Sequence, residues 1–196
     1  MKKVLIVMVF CLLCATATAA AATIAEDFAY KGVALGDSYE KMIKILGEPL
    51  YDKQLLSQGA MVTYYTYKDK LQIGVAVKNN SVVDIQIKSD RYEARDGVKL
   101  GATPYKLAKV YGKVKRTFIN GETYYIYTSE KNRQNRLMLQ AEPTDRYLLS
   151  IRITSLPITD AEIDARLEDE LGNKNDLNTI YMGEKDIDTS RVQTNE

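Results

Sequence analysis

The feature that most constrains the fold of this chain is an internal repeat, in which residues 32–90 resemble residues 97–156. The first copy opens GVALGDSYEKMIKILGEP and the second opens GVKLGATPYKLAKVYGKV. Further along, TYYTY recurs as TYYIY, and VVDIQIKS recurs as LLSIRITS. The three offsets of 65, 60 and 66 residues differ by no more than surface loops tolerate. Three blocks in the same order therefore predict two tandem copies of one structural unit.

Each copy begins with the start and stop signals of a short helix. Asp37 or Ser38 can cap the first helix, and Gly47 can end it. Thr103 is the expected cap of the second helix, with Gly112 at its end. The predicted apolar stripes are Met42, Ile43, Ile45 and Leu46 in the first helix and Leu107, Ala108 and Val110 in the second. Helices of roughly nine residues are marginal in isolation, so both should pack on a sheet.

Alternating apolar and polar residues after each helix predict antiparallel strands. The predicted strands are 61–67, 71–78 and 81–89 in the first copy and 113–119, 122–129, 136–142 and 147–155 in the second. Asn120-Gly121 is typical of a hairpin turn between two of them. The predicted fold class is α+β, with two tandem repeats that each pack a short helical segment on a 3-4-stranded antiparallel sheet. Whether the two repeats share one sheet stays open.

Period-two alternation places successive side chains of a strand on opposite faces of a sheet. The residues expected to cover the helices are Val83, Ile85, Ile87, Leu149, Ile151 and Ile153. The residues expected to face outward are Asp84, Gln86, Lys88, Ser150, Arg152 and Thr154. The final strand of each copy should therefore separate an apolar face from a polar one.

The first 22 residues have the order of a secretory signal peptide. Lys2 and Lys3 precede an apolar run from Val4 to Leu13, and a small-residue stretch follows. The run is about ten residues, short of the ~20 that a spanning helix needs, and an uncleaved anchor is the alternative interpretation. Both cysteines lie in this segment, so we expect a mature chain without disulfides. A lipoprotein cysteine follows a small residue, whereas Phe10 and Leu13 precede these two, so we expect no lipid anchor. Residues 23–31 then form an N-terminal lead-in.

A separate ending follows the repeats. Thr159 and Glu162 form a capping box, and apolar residues recur at helical spacing as far as Leu171. This pattern predicts an amphipathic helix over residues 157–172. Residues 173–196 are polar and acidic with little periodicity, so we expect a disordered acidic tail.

The residue types that this chain lacks narrow its chemistry. It contains no His and no Trp, and its 2 Cys fall within the predicted signal peptide. Ser-His-Asp catalysis, Cys-His catalysis and zinc sites built on His or Cys are thereby excluded. The carboxylates near the end of the first copy, which are Asp84, Asp90, Glu93 and Asp96, are interpreted as part of a solvated linker region. Carboxylate, Lys or Tyr chemistry and calcium or magnesium sites survive this exclusion, so an enzyme stays a third alternative. With the carboxylates assigned to a linker, we expect no enzyme activity, no cofactor and no metal site.

Basic and acidic residues are concentrated in different segments of the second half of the chain. Residues 97–156 carry 11 basic and 4 acidic groups, and residues 157–196 carry 4 and 11. An exported protein seldom meets nucleic acid, so we interpret the basic block as solvation or electrostatic steering. No nucleic-acid partner is expected.

Three features of the two copies resemble a known family. They are the helix opening L-G-x-(S/T) with its closing glycine, the tyrosine-rich strands, and the final strand VVDIQI or LLSIRI. They are similar to the beta-lactamase-inhibitor-protein-like superfamily, which includes the SmpA/OmlA (BamE) outer-membrane lipoproteins. The resemblance covers residues 32–155 as two copies. It implies two sheets joined into one aromatic-rich surface that grips a partner protein without chemistry of its own. This chain lacks the disulfides and the lipidated cysteine of that superfamily, so the resemblance implies a fold and no particular partner.

The tyrosine pairs of the two copies supply the candidate binding residues. Alternation puts Tyr64 and Tyr124 on one face and the tyrosines that follow them on the other, and we expect the first two to face outward. Replacing both with alanine should then weaken binding and leave thermal stability nearly intact. The predicted partner-binding residues are Tyr64, Tyr124, Gln72, Gln86 and Arg152.

Together these observations predict an exported, non-catalytic and inhibitor-like protein-binding module. Its expected partner is another exported or envelope protein, and its expected location is the periplasm, the cell envelope or the extracellular space. The alternative is a structural or assembly component of the bacterial cell envelope. We expect no membrane span after signal cleavage in either case.

Overall fold

The computed structural model describes residues 23–170, so the predicted signal peptide and acidic tail lie outside the described residues. The helices are α1 (Tyr39–Leu46), α2 (Pro104–Tyr111) and α3 (Asp160–Glu170). The strands are β1 (Ala29–Tyr30), β2 (Val33–Ala34), β3 (Tyr51–Ser57), β4 (Ala60–Thr66), β5 (Leu71–Ala76), β6 (Ser81–Ile87), β7 (Arg116–Ile119), β8 (Glu122–Thr128), β9 (Arg136–Ala141) and β10 (Leu148–Thr154). Short 3-10 helices cover Ala25–Phe28, Lys68–Lys70 and Arg95–Gly97.

Eight of these strands form one antiparallel sheet in the order β3-β4-β5-β6-β10-β9-β8-β7. Each half of the sheet is a meander of four consecutive strands, and β6 pairs with β10 where the halves meet. β1 and β2 pair separately as a small two-stranded ladder. The predicted α+β class is therefore confirmed, with both halves in one continuous sheet. That the halves are copies of one unit stays a prediction from the sequence.

The sequence pattern does not predict β3, which is an edge strand of the sheet. Among the described strands β3 pairs with β4 alone, and most of its side chains are exposed. A strand that is exposed on both faces need not alternate apolar and polar residues, so β3 carries no period-two signal.

The predicted caps of α1 and α2 are confirmed. Ser38, rather than Asp37, caps α1, because Ser38 Oγ accepts a hydrogen bond from Lys41 N. Thr103 Oγ1 accepts the equivalent bond from Lys106 N at the start of α2. Both helices end at a glycine with positive φ, a conformation that residues with a Cβ rarely adopt.

The main core lies between these two helices and one face of the sheet, called the helix face below. α1 contributes Met42 and α2 contributes Leu107, and both side chains are almost fully buried. Two rows of apolar residues cross the centre of the helix face. The rows are Leu71, Ile87, Ile151 and Leu139, and Ile73, Ile85, Ile153 and Leu137. The two isoleucines predicted to face the helices on each final strand are therefore confirmed.

Two residues predicted to cover the helices lie elsewhere, because the pairing of each final strand shifts register once. A shift between β5 and β6 turns Val83 to the opposite face of the sheet, where it joins a second, smaller core. A shift between Leu148 and Ser150 puts Leu148 in the main core and leaves Leu149 exposed. In α1, Ile45 is also exposed instead of belonging to a buried stripe. A β-bulge moves the alternation by one residue, and the sequence pattern alone does not reveal it.

The opposite face of the sheet, called the outer face below, is crossed by polar residues at its centre. One row across this face is Gln72, Gln86, Arg152 and Met138. The second core lies on the side of this face nearest β3 and β4. It consists of Ala60, Val62, Tyr64, Ala76, Val83 and Leu156.

The C-terminal helix predicted from the sequence is present over Asp160–Glu170. Thr159 Oγ1 accepts a hydrogen bond from Glu162 N, as the capping box predicts. The Glu162 carboxylate also pairs with Arg136 of β9 at 2.6 Å. A Cβ added to Gly59, in the turn between β3 and β4, would lie 3.3 Å from the carbonyl oxygen of Ile163. α3 therefore connects both halves of the sheet.

Candidate functional site

The five residues predicted to bind a partner all lie on the outer face of the sheet. Gln72 on β5 is opposite Gln86 on β6, and Gln86 is opposite Arg152 on β10. Tyr124 lies on β8, two strands beyond β10, and Tyr64 lies on β4, next to β5. Their common face agrees with the predicted alternation. Their role in binding stays a prediction.

Three of these residues share one hollow where the two halves of the sheet meet. Its volume is about 130 Å³, and its lining includes Gln86, Tyr124, Arg152, Glu122 and Gln140. Pockets that enclose small organic ligands are usually about 300–1,000 Å³. The hollow is therefore of a size to accept a protruding side chain of a partner, and its amide, phenol and guanidinium groups can hydrogen-bond to that side chain.

Arg152 is held in place by a buried carboxylate. Its Nε donates to Asp84 Oδ1 at 2.7 Å, and its Nη2 donates to Asp84 Oδ2 at 3.1 Å. The Asp84 side chain is 0% exposed and the Arg152 side chain is 20% exposed. Gln58 Oε1 accepts a further bond from Arg152 Nη2, and Gln86 Nε2 donates to Asp84 Oδ2. The two parallel bonds between Arg152 and Asp84 fix the guanidinium beside the hollow.

The structure corrects the predicted solvent exposure of three outer-face residues, which are Asp84, Ser150 and Thr154. All three are buried. Thr154 Oγ1 donates to the carbonyl oxygen of Val83, and Ser150 Oγ donates to Gln140 Oε1. The centre of the outer face is therefore a layer of polar groups that hydrogen-bond to one another rather than a solvated surface.

The expectation that Tyr64 is exposed is wrong, since only 5% of this residue is accessible to solvent. Its hydroxyl lies 3.0 Å from Ser57 Oγ and donates to Asp84 Oδ2 at 3.1 Å. Gly74 stands opposite Tyr64 on β5 and has no side chain, so the ring lies across it and reaches Asp84 on β6. Burial, and then the charge of Asp84, raises the pKa of the Tyr64 phenol above its usual value. Tyr64 therefore stabilises the outer face and offers almost no surface to a partner.

Tyr124 has a different environment on the same face. It is half-buried, and its hydroxyl donates to the carboxylate of the exposed Glu122. Burial, followed by this hydrogen bond, raises the pKa of the Tyr124 phenol. Because part of its ring remains accessible beside the hollow, Tyr124 stays a candidate contact residue.

Replacing Tyr64 with phenylalanine is expected to lower the free energy of unfolding by about 1 kcal/mol, because Asp84 loses one buried hydrogen-bond donor. Urea unfolding monitored by circular dichroism measures this change. Tyr124→Phe is the matched control and should change stability little, since its hydroxyl bonds to an exposed residue. Equal effects of the two substitutions would contradict the different burial of these tyrosines.

Sequence reasoning names Asp84 without its burial or its pairing, and it misses Gly74 and Gln58, which also position this site. A glycine inside a strand pattern is a recognisable signal of close packing, so Gly74 could have indicated that the facing Tyr64 is buried. The Asp84–Arg152 pair has no local signal, because its members are 68 residues apart in the chain.

The described residues provide no metal-binding cluster. Among residues 23–170, no group of three or more His, Cys, Asp or Glu residues is placed to hold a metal ion. A larger cavity of about 490 Å³ lies beside α3, where Arg136 and Glu162 already pair with each other. No helix in the same range has the length and apolar character needed to cross a membrane.

No family model and no curated protein sequence matches this chain. Distant structural matches exist among bacterial proteins. An extracellular protein containing an SCP domain from Bacillus anthracis is 14% identical, with a TM-score of 0.45, and the match covers 77% of this chain and 59% of that one. The DUF4309-family protein YjgB from Bacillus subtilis is 17% identical, with a TM-score of 0.45, over 63% of this chain and 82% of that one.

A further match is a protein from Streptococcus mutans with a proposed identity as a beta-lactamase inhibitor protein. It is 21% identical, with a TM-score of 0.27, over 62% of this chain and 85% of that one. This chain spans 59% of the length of the Bacillus anthracis protein. With TM-scores of 0.45 or less, these likenesses are distant and establish neither a shared fold nor a shared activity.

Proposed function

We propose that this chain is an exported, non-catalytic protein that binds another exported or envelope protein through the outer face of its sheet. The observation that carries the proposal is the hollow shared by Gln86, Tyr124 and Arg152 at the junction of the two halves. Tyr and Arg are enriched among the residues that dominate binding energy at protein interfaces. Asp84 already orients Arg152, so binding costs less side-chain entropy than it would for a free arginine.

The non-catalytic part of the proposal rests on the composition of the chain and on the groups around the hollow. The chain has no His, and its Cys residues fall within the first 22 residues. The polar groups that line the hollow are two amides, a phenol, a guanidinium, a carboxylate, the Lys88 amine and the Ser150 hydroxyl. The Ser150 hydroxyl donates to the amide oxygen of Gln140 and, within the described residues, is not bonded to a base. Export is inferred from the order of residues 1–22, and the inhibitor-like character is inferred from the family resemblance of the two copies.

Replacing Tyr124 with alanine is expected to weaken partner binding about tenfold, as truncation of an interface tyrosine usually does. The bait is the protein expressed from the full-length sequence and purified after export. It is mixed with envelope and culture-supernatant fractions. Captured proteins are identified by mass spectrometry, and the dissociation constant for a stoichiometric partner is measured by calorimetry. Tyr51→Ala is the matched control, because Tyr51 is a 63% exposed tyrosine on the edge strand β3.

Tyr51 lies opposite Thr66 on the same outer face, but at its far edge, so this control separates the hollow from the rest of that face. Two results would contradict binding at the hollow. One is wild-type affinity of the Tyr124→Ala variant, and the other is an equal loss of affinity for Tyr51→Ala. A bait that captures no stoichiometric protein, and sediments instead with cell-wall or membrane material, favours the alternative of an envelope-structural component.

A further inference from the structure

A separate surface lies where α2 leads into the edge strand β7. We call it the basic edge, and it consists of Lys109, Lys113, Val114, Lys115, Arg116 and Phe118. Residues 109–118 contain four cations and no carboxylate. Among the described strands β7 pairs with β8 alone, so the side of β7 away from β8 is open within residues 23–170.

The positive charge of the basic edge is largely uncompensated. Within residues 23–170, Lys109, Lys113 and Lys115 form no salt bridge. Arg116 Nη1 lies 3.6 Å from Asp145 Oδ2, and both side chains are partly exposed. The charges of these three lysines are therefore available to a negatively charged partner at this edge.

Exposed apolar side chains alternate with these cations along the chain. Phe118 is 69% exposed, and Val114 is also exposed. Tyr105 lies one helical turn before Lys109 on the same side of α2 and is 80% exposed. Large aromatic side chains left in water beside a cluster of positive charges indicate a surface for interaction rather than one that serves folding.

The corresponding edge of the first half shows that the fold does not require this charge. In the alignment of the two copies, residues 44–53 correspond to residues 109–118. Residues 44–53 contain two cations and two carboxylates, so their net charge is zero, against +4 for the basic edge. They lead from α1 into β3, the other edge strand, where Leu50 and Tyr51 are exposed. The two edges share exposed apolar residues and differ in charge.

We propose that the basic edge binds the surface of an anionic lipid membrane. Each Lys or Arg close to such a surface strengthens binding roughly fivefold, and exposed aromatic rings insert at the level of the headgroups. The three lysines supply the electrostatic attraction, and Phe118 and Val114 supply apolar contact with the lipid. A soluble polyanion uses only the charges, so the exposed apolar residues favour a lipid surface. This proposal is independent of partner binding, because it uses no residue of the hollow.

The test measures co-sedimentation of the full-length gene product, purified after export, with vesicles of phosphatidylglycerol and phosphatidylcholine or of phosphatidylcholine alone. We expect binding to the anionic vesicles that weakens when NaCl is raised from about 0.1 M to about 0.5 M, because salt screens these charges. The triple variant Lys109→Gln, Lys113→Gln and Lys115→Gln should bind about a hundredfold more weakly. Phe118→Ser should weaken binding several-fold and leave its salt dependence unchanged.

The matched control removes the same charge from the first half of the chain, with Lys44→Gln, Lys53→Gln and Lys78→Gln. These three lysines are exposed and form no salt bridge within residues 23–170. Circular dichroism melts verify that both triple variants are folded. An equal loss of binding for the two triple variants overturns the proposal, as does equal binding to neutral vesicles. Binding to soluble poly-glutamate but not to anionic vesicles also overturns it.

Discussion

Replacing Arg152 with alanine is expected to lower the free energy of unfolding by about 3 kcal/mol, because the buried charge of Asp84 loses its cation. The Asp84 side chain is fully buried and accepts two hydrogen bonds from Arg152. Breaking a buried pair by removing one partner costs about 3–5 kcal/mol, and the partial exposure of Arg152 argues for the lower end. Urea unfolding followed by far-ultraviolet circular dichroism measures this change.

Two further variants test whether the loss of stability comes from breaking the buried pair or from removing a positive charge in general. Arg91→Ala breaks the Arg91–Asp69 pair, whose side chains are 80% and 53% exposed, and should change stability little. The double variant Asp84→Asn with Arg152→Ala should be more stable than Arg152→Ala alone, because a neutral amide is easier to bury than an unpaired carboxylate. A double variant that is less stable than Arg152→Ala would contradict the proposed cause.

The position of this pair relates its expected effect on stability to the proposed binding surface. Asp84 is on β6 and Arg152 is on β10, the two strands where the halves of the sheet meet. On the helix face, Ile85 and Ile153 pack across the same junction. The halves are therefore joined by apolar contact on one face and by a buried ion pair on the other. The same pair, together with Gln58, holds Arg152 at the proposed binding surface.

The parts of the fold that depend on local interactions could be predicted from the sequence. The caps Ser38 and Thr103 bond to backbone groups three residues away, so the helix starts follow from neighbouring residues alone. The strands of the second copy follow from alternation and from the Asn120-Gly121 turn. The face that carries the candidate binding residues follows from the same alternation.

The parts that depend on residues distant in sequence could not be predicted. One β-bulge displaces Val83 and another exposes Leu149. Both depend on pairing with neighbouring strands, and the alternation of residues within one strand carries no information about that pairing. Polar residues on the outer face predict a solvent-exposed surface, but polarity does not distinguish a solvated aspartate from Asp84, whose cation is 68 residues away. The burial of Tyr64 depends on Gly74 in the next strand.

Replacing Gly74 with alanine is expected to lower the free energy of unfolding by about 2 kcal/mol, because the outer face has no room for a methyl group there. A Cβ at this position would lie 2.9 Å from Tyr64 Cε1, 2.9 Å from Val62 Cγ1 and 3.2 Å from Asp84 Cβ. These atoms belong to packed strands, so relief of the clash must move the Tyr64 ring away from Asp84. Alanine also restricts the unfolded chain, which offsets about 0.4–1 kcal/mol of the cost.

The matched control for crowding at Gly74 is Gly36→Ala, where strain comes from the backbone alone. Gly36 has a φ of +89°, and nothing lies within 4 Å of its added Cβ, so alanine should cost about 1 kcal/mol there. In a Tyr64→Ala background the stability lost through Gly74→Ala should be smaller, because the ring that it displaces is gone, whereas the stability lost through Gly36→Ala should not change.

In the Gly74→Ala variant, absorbance titration should show one tyrosine ionising closer to its usual pKa, since Tyr64 leaves its buried site. Unchanged stability together with an unchanged titration would contradict the packing of Tyr64 across Gly74.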